Sequence, residues 1–435
     1  MRTTFAALRN RNYRLYATGS LVSNIGTWMQ RVAQDWLVLT LTGSAGALGI
    51  TTGLQFLPIL LFSPIAGVLA DRFPKRRVLA VTQATMGVTA GLLGLLAITG
   101  WVEVWHVYVI AFLFGIGTAI DTPARQAFVH EMVRREQLPN AVGLNSASFN
   151  LGRVIGPAVA GGLIALLGSG VGATGWVIMV NAASYLAVIV SLARMRASEL
   201  FPTPLLPRAG GQLRAGIQYL RGRPDIMLVM AVVFCAGTFG LNFQMTMALM
   251  ATEVYGKGAG EYGILGSVIA IGSLSGSLVA ARRVESRQRL VIGSAIVFGF
   301  SVTIVGMMPS YLTFAAFLPL CGFSALTMLT AANSFVQLAA DPHMRGRVMA
   351  LYMAIFMGGT PVGAPTLGWV AEHFGARWTM IGGGALTVIG TLTAAVTFGR
   401  RQRVVVTPHL RPRPHLDVSL RKSRSSPRPS PPESD

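Results

Sequence analysis

Long apolar runs alternate with short clusters of charged and turn-forming residues along the first 400 or so residues of the chain. The runs lie near 15–41, 47–70, 78–99, 105–127, 141–167, 175–195, 226–252, 260–281, 289–308, 312–337, 347–371 and 378–398. Each is long enough to cross a hydrocarbon core of about 30 Å at about 1.5 Å per residue. A lone segment can satisfy its own backbone groups in hydrocarbon only as a helix. The pattern therefore predicts an all-α polytopic membrane protein with twelve transmembrane helices.

The sixth and seventh runs are separated by a polar stretch holding Pro202, Pro204, Pro207 and Pro224, which reads as a linker. Across it the chain repeats at an offset of 207: Gly115 matches Gly322, Phe128 Phe335, Leu144 Leu351, Phe149 Phe356, Gly152 Gly359, Gly156 Gly363, Gly161 Gly368 and Gly168 Gly375. Glycine is common here, so one match says little, but a series at one offset indicates two pseudo-symmetric six-helix bundles. The expected divisions are a first bundle over 1–195, a linker over 196–225, a second bundle over 226–398, and a disordered basic tail over 399–435 that lacks an apolar face.

Composition supports the membrane reading: 52% of residues are hydrophobic and only 12% charged, against about 25% charged in a soluble chain. The net charge of +20 would suggest nucleic acid in a soluble protein, but its distribution says otherwise. Of the 36 lysines and arginines, Arg31 and Arg153 interrupt apolar runs, and only Lys257 and Arg377 fall in odd-numbered connections. All the others lie at the termini or in even-numbered connections, which places both termini in the cytoplasm. The first run lacks a small-residue cleavage site and reads as an uncleaved span. Cys235 and Cys321 sit in distant apolar runs and read as small buried hydrophobes.

Candidate chemistry is concentrated in the first half. Arg31 and Asp35, one turn apart, interrupt the first span, and Arg153 interrupts the fifth at a similar depth; such residues point to a cavity or a pairing. Asn24, Thr27, Arg31, Gln34 and Asp35 fall on one side of the first helix, with Leu21, Val32 and Leu39 opposite. Asp35 reads either as a proton carrier or as half of a fixed ion pair with Arg31 that carries none. The surplus arginine equally suits an anionic group on a cargo. In the second half Asn242, Gln244, Asn333 and Gln337 are candidate cavity residues, and Met245 lies among them. A cavity with few polar anchors suits a hydrophobic or amphipathic molecule.

Two further stretches carry a family resemblance. Gly67-Val-Leu69-Ala-Asp71-Arg72-Phe-Pro-Lys75-Arg76 resembles the loop between the second and third spans of the major facilitator superfamily, departing from it where Pro74 replaces a glycine. Gly152-Arg-Val-Ile-Gly156-Pro157-Ala-Val-Ala-Gly161-Gly162 resembles the fifth-span motif of its proton-coupled drug exporters; taken alone it also fits a tightly packed helix pair. Arg11 to Tyr16, Trp36 to Leu39, Leu41 to Ser44 and Thr122 to Arg125 look like the branch of enterobactin exporters and macrolide efflux proteins. The resemblance implies a cytoplasmic gate of Gly67, Asp71, Arg72, Lys75, Arg76, Asp121 and Arg125, which would hold the outward-open state closed on the inside. It also implies a substrate site between the two halves.

The expected function is secondary active export of small amphipathic molecules by alternating access, in exchange for protons, by a monomer in the cell membrane. Import of a polar or anionic metabolite is the nearest alternative, and a non-transporting sensor or scaffold is the alternative of another class. No phosphate-binding loop, nucleophile–base pair or metal-ligand spacing is readable, so no enzyme activity, cofactor or metal is expected.

Overall fold

The computed structural model describes residues 5–201, 212–281, 288–401, 404–409 and 415–420; the side chains of 63–71, 212–213, 281 and of everything beyond 399 lie outside that description. The first half consists of α1 (Arg11–Thr42), α2 (Ala45–Arg72), α3 (Lys75–Thr99), α4 (Val104–Met132), α5 (Leu138–Leu166) and α6 (Val171–Ala193). A short α7 (Gln212–Arg221) precedes the second half. The seventh span is α8 (Pro224–Cys235) and α9 (Phe243–Leu249), each followed by a wide π turn. Then come α10 (Ala259–Ala281), α11 (Gln288–Gly306), α12 (Tyr311–Ala339), the paired α13 (Arg345–Gly358) and α14 (Thr360–Phe374), and α15 (Ala376–Arg401).

Eleven segments of the described residues are long and apolar enough to cross a membrane. Helix α1 is the twelfth span. It is the longest helix, 32 residues, and its buried Gln30, Gln34 and Asp35 lower its hydropathy. Its ends follow capping rules: the Asn10 side chain accepts from the Tyr13 amide, and Gly43 closes the helix at φ 60°. Past α15, β1 (Val404–His409) and β2 (His415–Leu420) pair antiparallel. This paired ribbon lies within the tail of 399–435, most of which is outside the described residues; the β-branched run Val404-Val-Val-Thr407 gives it strand preference.

Packing follows the repeat. In the first half α1 packs on α5 and α6, α2 on α4, and α3 on α4 and α6. The second half repeats each contact: the seventh span on the eleventh and twelfth, α10 on α12, and α11 on α12 and α15. The halves meet through α2 with α14 and α5 with α10, which are exchanged by the same relation.

Matched glycines do matched work. A Cβ on Gly115 would lie 2.4 Å from the Gln55 carbonyl oxygen of α2, and one on Gly322 2.3 Å from that of Ile269 on α10. Gly161 meets Ala259 and Gly263 across the halves, while Gly368 meets Ala45, Gly46 and Gly49. Gly168 and Gly375 end their helices at φ 96° and 92°. The repeat in the sequence is thus a repeat of close helix crossings.

The two cross-half seams lie toward the face that carries the α1–α2 turn, opposite the termini. Toward the terminal face, on the first two-thirds of α5, Val142 and Leu151 are exposed and Phe149 is 49% exposed. Phe149 also stacks edge-on with Trp28 of α1.

Gly115→Ala and Gly322→Ala should each destabilise the protein by about 1–3 kcal/mol through overpacking, whereas Gly293→Ala, which meets nothing within 4 Å, should be neutral. Thermal unfolding in detergent checks this; a large loss at only one of the two matched glycines would contradict the equivalence of the halves.

Candidate functional site

Beside the two seams lies a cluster contributed by both halves. Asp35, 6% exposed, accepts a hydrogen bond from the Tyr262 hydroxyl of α10 at 2.7 Å. The same hydroxyl lies 3.2 Å from the Gln244 carbonyl oxygen. Arg31 turns away from Asp35: its Nη1 reaches Gln244 Oε1 at 3.4 Å, and its guanidinium lies over the rings of Trp28 and Phe56 at 4.8 and 5.7 Å. Arg153 approaches the same Trp28 ring at 5.7 Å. The fixed Arg31–Asp35 ion pair that helix spacing allows is therefore not formed. Two cations share one aromatic ring, and the acid between the halves is held by a hydroxyl.

Among the described residues neither Arg31 nor Arg153 has a carboxylate within ion-pair distance, and the buried Arg31 Nε has no hydrogen-bond partner. Beside them Trp28, Val32 and Pro157 of the first half and Phe243, Met247 and Ile269 of the second enclose a cavity of about 40 Å³. That is room for a few waters, well short of the several hundred Å³ of a drug-sized site.

The polar side of α1 divides into two stripes. Asn24 donates to Ser148 of α5 at 3.1 Å, and Arg31 and Asp35 face the second half. Ser23, Thr27 and Gln30 point instead into their own bundle, toward Gln83, Tyr185 and Asn181. Gln34 is buried with Oε1 unpartnered. Val32, on the side expected to be apolar, lines the cavity.

Toward the terminal face a second cluster lies wholly within the first half. Asp121 binds Arg125 at 2.9 Å and accepts from Gln83 Nε2 at 2.8 Å and Thr82 Oγ1 at 3.0 Å. Arg125 also donates to Ser20. Lys75 pairs with Glu131 at 2.9 Å, both side chains 7% exposed, and Arg76 donates to the Ala193 carbonyl at 3.2 Å. Arg72 is exposed. Gly67 and Asp71 lie in α2, but their side chains are outside the described residues. Glu131 is absent from the set expected for this cluster; a charge in the last turn of a span normally reads as facing water, so only its proximity to Lys75 reveals it.

The fifth-span motif packs in both directions. Gly152 meets Asn24 and Gly156 meets Trp28 and Ile25, all on α1, while Gly161 meets α10 across the halves and Gly162 meets nothing within 4 Å. Pro157 lies under Gly263 and Gly266 of α10, and Ser267 donates to the Val154 carbonyl at 2.5 Å. In the second half Gln244 joins the apex. Asn242 follows the first π turn and donates to Thr238, and Met245 is fully buried. Asn333 and Gln337 bond to each other near the terminal-face end of α12, away from Asp35. Tyr262 is the apex residue that the sequence analysis misses. A tyrosine at the start of a span reads as an interfacial aromatic, and its partner is 227 residues away.

The model of a family described as transmembrane secretion effectors matches residues 2–425. A multidrug efflux pump, Tap, of Mycolicibacterium fortuitum is 27% identical over 83% of this chain and 90% of its own length. Macrolide efflux protein A of Streptococcus pyogenes is 25% identical over 85% and 92%. Among solved structures, a bacterial homologue of the human lysosomal transporter Spinster, inward-facing and unoccupied, superposes with a TM-score of 0.67 at 17% identity, covering 88% of this chain and 98% of that one. Twelve spans in two repeated bundles, a charged apex between them and this family match lead to one assignment: the chain belongs to the transmembrane secretion effectors, a branch of the major facilitator superfamily of membrane transporters.

Proposed function

We propose that this protein exports small amphipathic molecules across the cell membrane by alternating access, in exchange for protons bound at Asp35. The bond from Tyr262 in one half to Asp35 in the other is the observation that carries the reading. Both residues lie toward the face opposite the termini, in the part of the contact that must separate when that face opens. Opening that face breaks this bond and gives the carboxyl access to protons there; closing it re-forms the bond and leaves access from the terminal side alone. The positive-inside distribution supports a cytoplasmic terminal side, and on that orientation each cycle moves a proton inward. The names of the efflux relatives support outward movement of the cargo. In this cycle the Asp71 loop forms the opposing latch, engaged when the cytoplasmic side closes.

A second reading rests on Arg31 and Arg153 having no carboxylate partner among the described residues. An anionic group on the cargo would supply one. It would also favour the proton on Asp35 through its own negative charge, so cargo and proton would then move together instead of exchanging.

In liposomes of purified protein, Asp35→Asn should abolish transport driven by a pH gradient while keeping exchange of cargo for cargo; gradient-driven transport at the wild-type rate would contradict proton exchange at Asp35. Tyr262→Phe should slow gradient-driven transport about tenfold, the worth of one hydrogen bond to a charged group. Arg153→Gln separates the two readings: on the second, it weakens transport of anionic compounds about tenfold or more and leaves cationic and neutral ones unchanged, and on the first it makes no such distinction.

A further inference from the structure

The α1–α2 turn is where the two halves come closest to locking. Helix α2 begins at Ala45, and Ser44 stands before it with its hydroxyl accepting from the Ala47 amide at 3.0 Å. Glu372, at the end of α14 in the other half, reaches across. Its Oε1 accepts from the Ser44 hydroxyl and from the Gly46 amide at 2.9 Å. One half thus supplies the negative charge that caps a helix of the other, where unpaired amides and the helix dipole favour an anion.

The surrounding contact is shaped for this approach. A Cβ on Gly46 would lie 2.8 Å from Glu372 Oε1, and one on Gly49 would lie 2.6 Å from the Ala364 carbonyl oxygen. Successive turns of α2 therefore present glycine to α14, which lets the carboxylate come down onto the helix end. The contact serves no purpose within either bundle alone, because each of its partners belongs to the other.

We infer that Glu372 is a latch on the face opposite the termini: its carboxylate caps α2 across the two halves and holds that face shut, and it must let go each time the face opens. The inference rests on the alternating-access reading, but its test reads conformation and not transport. The latch is light by construction. It sits at the exposed end of the seam, where a charge at a helix end shifts an equilibrium severalfold and does not lock it, as a step repeated every cycle requires.

Spin labels at Trp101→Cys in the first half and Met307→Cys in the second, both exposed, report the separation of this face in protein whose Cys235 is replaced by serine. Pulsed electron resonance should show one short distance dominating with Glu372 present. Glu372→Ala should raise the ratio of long to short distances about fivefold, and Glu372→Gln, which keeps an acceptor but not the charge, should fall between. A distribution unchanged in Glu372→Ala overturns the latch. A second variant guards against a change of fold: a disulfide formed between Ser44→Cys and Glu372→Cys before thioether-linked spin labels are attached at the other two positions should hold the short distance alone and release it on reduction, and persistence of the long distance in the oxidised pair would also overturn the inference.

Discussion

A carboxyl group buried within a bundle of membrane-spanning helices needs a hydrogen-bond donor, because no bulk water is there to supply one. At Asp35 that donor comes from the other half of the molecule, although Arg31 stands one turn away on the same helix. Much else follows from this choice. Arg31 is free to lie on Trp28 and reach Gln244, Arg153 joins the same ring, and the contact between the halves gains a polar centre whose bond depends on their relative position. The same acid paired along its own helix would be indifferent to any rocking of the bundles.

The glycine seams make that dependence mechanical. Gly161 against Gly263, and Gly49 and Gly368 against each other's helices, bring backbones together without side chains between them. Such surfaces can part and rejoin as rigid bodies, because backbone meets backbone at these crossings. The Asp121 cluster behaves differently. Asp121 has three partners within its own bundle, and breaking a buried pair of this kind costs about 3–5 kcal/mol. That bundle is tied internally and joined to its twin by lighter contacts, the division of labour expected of two bodies that move against each other.

Much of this was legible in the chain. Apolar runs set the twelve spans, and glycines at one offset set the two halves, because close backbone crossings leave a mark that single residues carry. Arg31, Asp35 and Arg153 stood out because charge within a span is costly. The arrangement of these charges was not legible. Helix periodicity places Arg31 beside Asp35 and cannot see that Tyr262 and Gln244 compete for them from another bundle. It also groups Thr27 with Asp35 on one polar side, although one faces Tyr185 and the other the second half. Glu131 and Glu372 sit near the ends of spans, where charge is ordinary, so only spatial contact with Lys75 and with the start of α2 distinguishes them.

The central claim is that cargo and proton are linked through Asp35, and the most direct measurement is of protons exchanged when cargo binds purified protein in weakly buffered detergent solution, followed with a pH indicator. Near the pH where Asp35 is half titrated, the account predicts that binding of a compound exported in liposomes releases protons from the wild-type protein and none from Asp35→Asn. Proton uptake on binding, or an equal release from the variant, would contradict it.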